Sequence, residues 1–448
     1  MKMINRTEPW FLFLGDILVL TFSLWLSLFI RFNQIPAWTY FTELLFPFGI
    51  LFLFWLTVFF IAGLYEKHTS LFKSRLPARI FNTQVFNSFL AVVFFYFVPY
   101  FGVTPKTILF IYIILSLGLV LLWRLYGQNL FGAKAKESAL ILASGPEMEL
   151  LFQEVNSNKR YGFLFTSAID LNQTETFDFE RDVALPIREQ NISIIVVDWQ
   201  NKNIEKNLAN FYDLLFAKVR FVDMNSLYEE IFDRVPLSLV GYDWFIGNLS
   251  LWPNVSYSIL KRFLDIVFSL ILGLLSLIFY PFIFLAIKLE DQGSIFIIQN
   301  RIGKNNRLVK IVKFRTMSFN DNEENNSVKN KITKVGAFLR KSRLDELPQL
   351  WNVLKGDLSL IGPRPELPAL AKIYEKEVPH YNVRHLISPG LSGWAQLYHE
   401  NHPHQGANTK ETKNKLSYDL YYLKNRSLLL DLKIALKTIK TLLSQTGK

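Results

Sequence analysis

Apolar residues along this chain come in blocks. Four runs, at 10–30, 44–63, 80–101 and 107–125, are each long enough as helices to approach or cross about 30 Å of hydrocarbon. Between about 133 and 251 the blocks shorten to strand length, at 138–144, 162–168, 192–199 and 219–224, with helix-like stretches between them. That alternation predicts βαβ units around a parallel sheet, a Rossmann-like domain. A fifth long apolar run covers 263–289 and contains Pro281, which removes a backbone donor and favours a kink. Beyond residue 300 the chain is polar and basic, and it closes on 427–443, where Leu429, Leu432, Leu436, Ile439 and Leu443 share one helical face flanked by Lys433, Lys437 and Lys440. Such a helix either lies in a membrane interface or packs on the soluble part.

Charge orients these blocks. Lys2 and Arg6 precede the first span; Lys67, Lys73, Arg75 and Arg79 separate the second from the third; Arg124, Lys134 and Lys136 follow the fourth. The opposite side carries only Arg31 and Lys106, so the positive-inside rule puts both ends of the four-helix block in the cytoplasm. The first run is too long for a cleaved signal and lacks a small-residue cleavage site, which predicts a signal anchor. After the fifth run come Arg301, Lys304, Arg307, Lys310, Lys313 and Arg315. A crossing helix would place this cluster on the wrong face, so the kinked run reads as a re-entrant helix that enters and leaves the cytoplasmic leaflet; a fifth true span is the alternative. The expected organisation is a transmembrane block at 1–130, a Rossmann-like domain at 131–252 and an α+β catalytic domain at 253–448 with the re-entrant helix 263–289. The place is the bacterial inner membrane, with the catalytic domain facing the cytoplasm.

Composition narrows the chemistry. The 448 residues are 50% hydrophobic and 19% charged, with 41 Phe. The chain has no Cys, which excludes a disulfide scaffold, a thiol nucleophile and Cys-based metal sites. A net charge of +11 on such a chain indicates lysines near anionic lipid, with no nucleic-acid partner. In the middle domain the first turn reads Ala143-Ser144-Gly145-Pro146, without the repeated glycines that bring a backbone close to a pyrophosphate. A non-catalytic role is expected there.

The candidate chemistry gathers in the last third. In Arg340-Lys341-Ser342-Arg343-Leu344-Asp345-Glu346-Leu347-Pro348 the proline predicts a helix starting just after the two acids, with Leu347, Leu350, Trp351 and Leu354 on a buried face and Gly356 as its stop. Two acids at a helix start are either plain capping residues or a reactive pair. Gly362-Pro363-Arg364-Pro365 fixes one guanidinium between two prolines, which suits a bidentate phosphate contact, with a structural salt bridge as the alternative. Lys313 and Arg315 alternate onto one face of a strand-like stretch. Cations beside an acidic pair suit a Mg²⁺-bound diphosphate, with Asp345 and Glu346 as the metal's carboxylates.

Six motifs in order carry a resemblance: Lys261-Arg262-Phe263-Leu264-Asp265, Lys313-Phe314-Arg315-Thr316-Met317, Leu344-Asp345-Glu346-Leu347-Pro348-Gln349, Asn352-Val353-Leu354-Lys355-Gly356-Asp357, Gly362-Pro363-Arg364-Pro365 and Gly393-Trp394-Ala395-Gln396. Over about 257–443 the chain resembles the bacterial sugar transferases of the monotopic polyprenyl-phosphate phosphoglycosyl transferase superfamily, and its four N-terminal spans with the degenerate Rossmann-like domain resemble the long-chain form. The resemblance implies transfer of a sugar-1-phosphate from a UDP-sugar to undecaprenyl phosphate, with release of UMP, as the first membrane step of exopolysaccharide, capsule or O-antigen assembly. It implies Asp345 as nucleophile, Glu346 as its dyad partner, phosphate or nucleotide contacts from Arg340 and Arg364, and a supporting role for Asp419; Lys313 and Arg315, read from their strand face, join the same phosphate- and nucleotide-binding set. A homo-oligomer stays open. The chain departs from the family at Tyr280-Pro281, where Ser-Pro is frequent, at Ser388, where a basic residue is frequent, and at 398–404. The histidines His399, His402 and His404 read as part of a mobile lid or a metal site. Rival readings are an inactive scaffold of a polysaccharide-assembly complex and a membrane-anchored sugar-nucleotide dehydratase or epimerase; the second lacks its glycine fingerprint.

Overall fold

A computed structural model describes residues 7–65, 76–97, 106–127, 136–158, 161–172, 177–217, 219–249, 255–291, 293–318, 331–398 and 408–443. The chain divides into two units, Met1–Leu227 and Tyr228–Lys448.

In the first unit the four apolar runs form helices α1 (Thr7–Phe32), α2 (Trp38–Ile61), α3 (Leu76–Phe97) and α4 (Lys106–Tyr126). Each contains a segment of 20 to 24 residues apolar enough to cross a membrane. Their core joins Leu20, Leu24 and Leu28 to Phe48, Trp55, Phe59 and Tyr112. Asp16 of α1 and Arg124 of α4 are buried in ion-pair contact, with the Tyr65 hydroxyl donating to Asp16 Oδ2 at 2.5 Å and Arg124 Nη1 donating to the Leu64 carbonyl at 2.8 Å. A charge inside an apolar bundle persists only when paired in this way. Arg124, counted above as a loop cation, is therefore neutralised inside the bundle. Arg79 and Lys136 remain as described cations of that side, whereas Lys2, Arg6, Lys67, Lys73, Arg75 and Lys134 lie outside the described residues.

The alternating middle segment forms strands β1 (Glu137–Ala143), β2 (Phe163–Asp170), β3 (Ile192–Val197) and β4 (Arg220–Asp223), all parallel, in the order β2-β1-β3-β4. Helix α5 (Pro146–Ser157) follows β1, and the short helices α6 (Leu185–Glu189), α7 (Lys202–Glu205) and α8 (Leu208–Asp213) fill the later crossovers. Gly145 sits at φ 83°, which permits the turn into α5. The first turn of α5 carries Glu147 and Glu149, whose charge opposes an anion there, in line with the missing glycine fingerprint.

The second unit begins with the end of α9 (Met224–Phe232) and with α10 (Tyr242–Asn248). The sequence placed these residues in the middle domain, up to 252. Here the segment instead joins the C-terminal third: the Trp394 indole donates to the Asp233 carbonyl at 2.9 Å, Val235 N–H donates to Ser417 O at 3.1 Å, and Val235 and Trp244 pack with Tyr374, Tyr381 and Leu420. Burying one Val and one Trp against that core is what composition alone did not reveal.

The fifth apolar run is two helices, α11 (Val255–Ser276) and α12 (Tyr280–Asp291), bent by 56°. The break falls at 277–279, just ahead of Pro281, whose ring is tolerated in the first turn of α12. Asp265, Ser269, Gly273 and Ser276 mark the buried stripe of α11, and the remaining faces are exposed Phe, Leu and Ile. Beyond α12 a hairpin pairs β5 (Phe296–Ile302) with β6 (Leu308–Phe314), antiparallel. Next come α13 (Lys334–Ser342), α14 (Gln349–Lys355) and β7 (Ser359–Ile361), then α15 (Pro368–Glu377) and β8 (Gly390–Ser392), which pairs in parallel with β7. Helices α16 (Trp394–Tyr398), α17 (Thr409–Lys424) and α18 (Leu428–Leu443) complete the unit. On α18, Leu429 and Leu432 are exposed while Ile434 is fully buried against Trp394 and Tyr422, so the helix both packs on its own unit and keeps an apolar outer face.

Candidate active site

Helix α11 anchors the site from below. Arg262 donates to the Val353 and Leu354 carbonyls at 2.7 and 2.8 Å, closing the C-terminus of α14. Asp265 accepts from the Ser359 hydroxyl at 2.8 Å and the Leu360 N–H at 3.1 Å. The segments that carry the candidate residues are thus tied to the bent helix pair.

The acidic pair does not open an α-helix. Arg343 adopts the left-handed conformation at φ 57° and stops α13; Leu344–Glu346 then form one 3₁₀ turn, and α14 starts only at Gln349, after Pro348. Pro348 could not supply the N–H of a helix interior, and the sharp turn before it throws the two carboxylates in different directions. Glu346 faces cations. Its Oε1 accepts from Arg364 Nη2 at 2.8 Å and Lys313 Nζ at 3.3 Å, with Arg343 Nη1 at 4.0 Å. Burial alone would raise its pKa, but Arg364, Lys313 and Arg343 outweigh that and hold it at about 2. Asp345 is 8% exposed, and its Oδ1 has no hydrogen-bond partner among the described residues. Burial, reinforced by the charge of Glu346, raises Asp345 to about 6 against the pull of Lys313, Arg343 and Arg340. Two adjacent carboxylates therefore differ by about four pH units, one a fixed anion and the other a nearly bare oxygen that ionises just below neutrality.

Of the cations expected here, Lys313 and Arg364 reach Glu346 directly. Arg340 donates from Nε to Thr316 Oγ1 at 2.8 Å and acts on Asp345 through its charge. Arg315 lies one residue past the end of β6, is buried, and rests its guanidinium against Gly293. The alternation that would pair it with Lys313 ends at Phe314. Asp419 lies deeper than the other expected residues. It is 1% exposed and ion-paired with Arg384 at 2.8 Å, and Arg384 in turn donates to the Arg364 carbonyl at 3.0 Å and the Tyr381 hydroxyl at 2.8 Å. Glu366 and Lys415 extend this network, 2.9 Å apart. Asp419 therefore supports Arg364 through Arg384.

Sequence reasoning missed Arg343 and Arg301 as members of the site. Arg301 donates to Gln299 Oε1 at 2.9 Å, and burial followed by the Arg364 charge lowers its pKa. Its signal lay in strand register: Arg301 pairs with Val309, two alternations from Lys313, which puts both cations on one face of the hairpin. For Arg343 the signal was its i,i+3 spacing to Glu346. The histidine segment 399–404 lies outside the described residues.

Five cations around two acids leave the site net positive, an arrangement that holds an anion carrying several charges. A divalent ion fits the same place. Mg²⁺ takes one or two carboxylates and completes its shell with substrate phosphates and water. Asp345 Oδ1 lacks a partner, and the three cation contacts of Glu346 all fall on Oε1, leaving Oε2. No cluster of three or more acidic or histidine side chains suited to a metal occurs among the described residues, so the remaining ligands would come from the substrate.

Comparison with known proteins bears directly on this arrangement. The bacterial sugar transferase family matches residues 256–445, which hold every site residue named above. An exopolysaccharide production protein PSS of Rhizobium leguminosarum bv. phaseoli is 38% identical over 189 residues, covering 40% of this chain and 94% of that protein. This chain belongs to the bacterial sugar transferase family. A UDP-N-acetylgalactosamine-undecaprenyl-phosphate N-acetylgalactosaminephosphotransferase of Aeromonas hydrophila is 43% identical over 205 residues, 44% of this chain and 47% of the relative. A UDP-glucose:undecaprenyl-phosphate glucose-1-phosphate transferase of Escherichia coli K12 is 37% identical over 186 residues, 40% of this chain and 39% of the relative. The matches to these two span less than half of either chain.

Proposed function

We propose that this family member transfers a sugar-1-phosphate from a UDP-sugar to undecaprenyl phosphate at the cytoplasmic face of the bacterial inner membrane, beginning the assembly of a surface polysaccharide. The carrying observation is the division of labour between Asp345, buried with a bare oxygen, and Glu346, clamped by cations. In the first step an Asp345 oxygen attacks the phosphorus that bears the sugar. The new P–O bond forms as the diphosphate bridge breaks, and its electron pair leaves with UMP. In the second step a phosphate oxygen of the lipid attacks the same phosphorus, and the P–O bond to Asp345 breaks with its electrons returning to the carboxylate. Arg364, Lys313 and Arg343 hold Glu346 ionised and offset charge on the diphosphate. Arg340 keeps a positive field at Asp345 that favours the attacking anion. Asp345 and Glu346 would hold Mg²⁺ together with the substrate's phosphates, and the ion would supply screening of the repulsion between carboxylate and phosphates.

In this reading the bent pair α11–α12 is re-entrant, with both ends on the cytoplasmic side, and the exposed apolar face of α18 lies in the same interface. Because the chain has no native Cys, single cysteines placed at the start of α11 and the end of α12 report topology cleanly. Both should label from the cytoplasm; labelling of one from outside would make the pair a span. The activity is tested by UMP release in detergent with undecaprenyl phosphate and a panel of UDP-sugars, together with mass spectrometry of enzyme given UDP-sugar alone. An adduct of one phosphosugar on Asp345 is expected. Transfer at a near wild-type rate by Asp345→Asn refutes the assignment.

A further inference from the structure

Around the start of α12, the acidic turn and the start of α14, polar atoms are buried without partners among the described residues. Besides Asp345 Oδ1, the Tyr280 hydroxyl and the Gln349 side-chain nitrogen Nε2 have no hydrogen bond among the described residues. Gln349 as a whole is 4% exposed. Tyr280 is the first residue of α12, and its ring sits edge-on to Phe314, with centroids 4.9 Å apart. Tyr280 shares an apolar cluster with Leu344 and Leu347, the residues on either side of Asp345 and Glu346. Gln349 opens α14 two residues beyond Leu347. The start of α12 and the acidic turn thus share one apolar cluster, and α14, which Gln349 opens, packs on α11, so the two unused donors and the unused acceptor all belong to segments gathered on the bent helix pair.

Buried donors left unpaired are costly, and native proteins keep few of them without a ligand or water. The chemistry of this pair is specific. Both groups are neutral donors on elements of the apolar helix pair and its neighbour, Tyr280 at the start of α12 and Gln349 on α14 against α11, whereas Lys313, Arg343 and Arg364 gather on Glu346. Neutral donors at the edge of an apolar surface suit the phosphate of an amphiphile whose tail runs along the exposed faces of α11 and α12. We infer that Tyr280 and Gln349 form the subsite for the phosphate of the acceptor lipid, separate from the cationic subsite for the nucleotide diphosphate. The inference rests on the two-step transfer above. It adds that the incoming lipid oxygen reaches the phosphorus held on Asp345 from the helix-break side, steadied by the Tyr280 O–H and the Gln349 N–H₂.

The two half-reactions separate this idea from a packing role. Tyr280→Phe keeps the ring and removes only the hydroxyl; Gln349→Leu keeps the volume and removes the donor. In the purified full chain, UDP-sugar alone gives a UMP burst, and a chase with undecaprenyl phosphate then reports the second step. Each variant should raise the KM for lipid phosphate at least tenfold, with a several-fold smaller effect on the burst. As a binding readout, farnesyl phosphate should raise the melting temperature of the wild type, while inorganic phosphate and farnesol should not, and Tyr280→Phe should lose most of that shift. Equal slowing of both half-reactions, a lipid KM within twofold of wild type, or the same thermal shift from inorganic phosphate overturns the subsite. If the wild type gives no burst with any UDP-sugar, the transfer reading fails first and the subsite falls with it.

Discussion

The raised pKa of Asp345 makes this buried carboxyl a liability to the fold, and its size can be measured. Burial and the Glu346 charge move the carboxyl from 3.8 to about 6. Two pH units correspond to about 3 kcal/mol. Because the folded pKa is the higher one, the contribution of this group to stability is fully present below pH 3.8 and is lost as pH rises through about 6. Asp345→Asn removes the charge with little change of shape. At pH 7.5 the variant should therefore be more stable than the wild type by about 3 kcal/mol, a gain of roughly 6–12 °C in melting temperature for a unit of this size. At pH 4 the difference should shrink toward zero. The assay is thermal unfolding of the purified chain in detergent across pH 4 to 8, with a chelator present so that no divalent ion offsets the charge. A variant that is less stable at pH 7.5, or a difference that does not change with pH, would refute the claim that Asp345 is held in an unfavourable, buried ionised state.

Glu346→Gln should behave in the opposite sense: it leaves Arg364, Lys313 and Arg343 facing one another, which should cost about 3 kcal/mol. Since the folded pKa of Glu346 is about 2, its stabilisation is present above 4.5 and lost only near that low value, so this loss should stay constant from pH 5 to 8 in the same unfolding scans. The first half-reaction should slow in acid with an apparent pKa near 6, read as the UMP burst rate against pH; a limb near 4 would mean that ligand or metal restores an ordinary carboxylate. Gly390→Ala would set a Cβ 2.1 Å from the Gly362 nitrogen, forcing apart the strands that present Arg364, and should cut transfer at least tenfold while the UDP-sugar KM rises. Asp419→Asn should leave buried Arg384 with only the more distant Glu366 carboxylate, 3.7 Å away, at a cost of about 3 kcal/mol, with a smaller effect on the burst at low temperature than Glu346→Gln.

Much of the architecture was legible in one dimension because it depends on local periodicity. Apolar runs of about twenty residues became α1–α4, strand-length runs became the parallel sheet, and Pro281 marked the bend because a proline ring is accommodated in the first turn of a new helix more readily than in the interior of a continuous one. The acidic pair and the proline-braced Arg364 were recognisable because their chemistry is carried by residue type and close spacing. The boundary at 252 was misplaced because Val235 and Trp244 gain their partners from residues more than a hundred positions away, beyond the reach of any composition window.

What the chain order determined alone is therefore the set of parts: membrane helices, a sheet, a bent apolar pair and a basic segment with two adjacent carboxylates. Which cation meets which carboxylate was decided only by folding. Arg301, Lys313, Arg343 and Arg364 converge from a hairpin, a left-handed turn and a proline-flanked loop, while Asp419, of the same residue type as Asp345, is buried against Arg384. The reason is physical. Hydrophobic periodicity acts between near neighbours in the chain, whereas the energy of a buried charge depends on the distance and desolvation of groups that only the tertiary fold assembles.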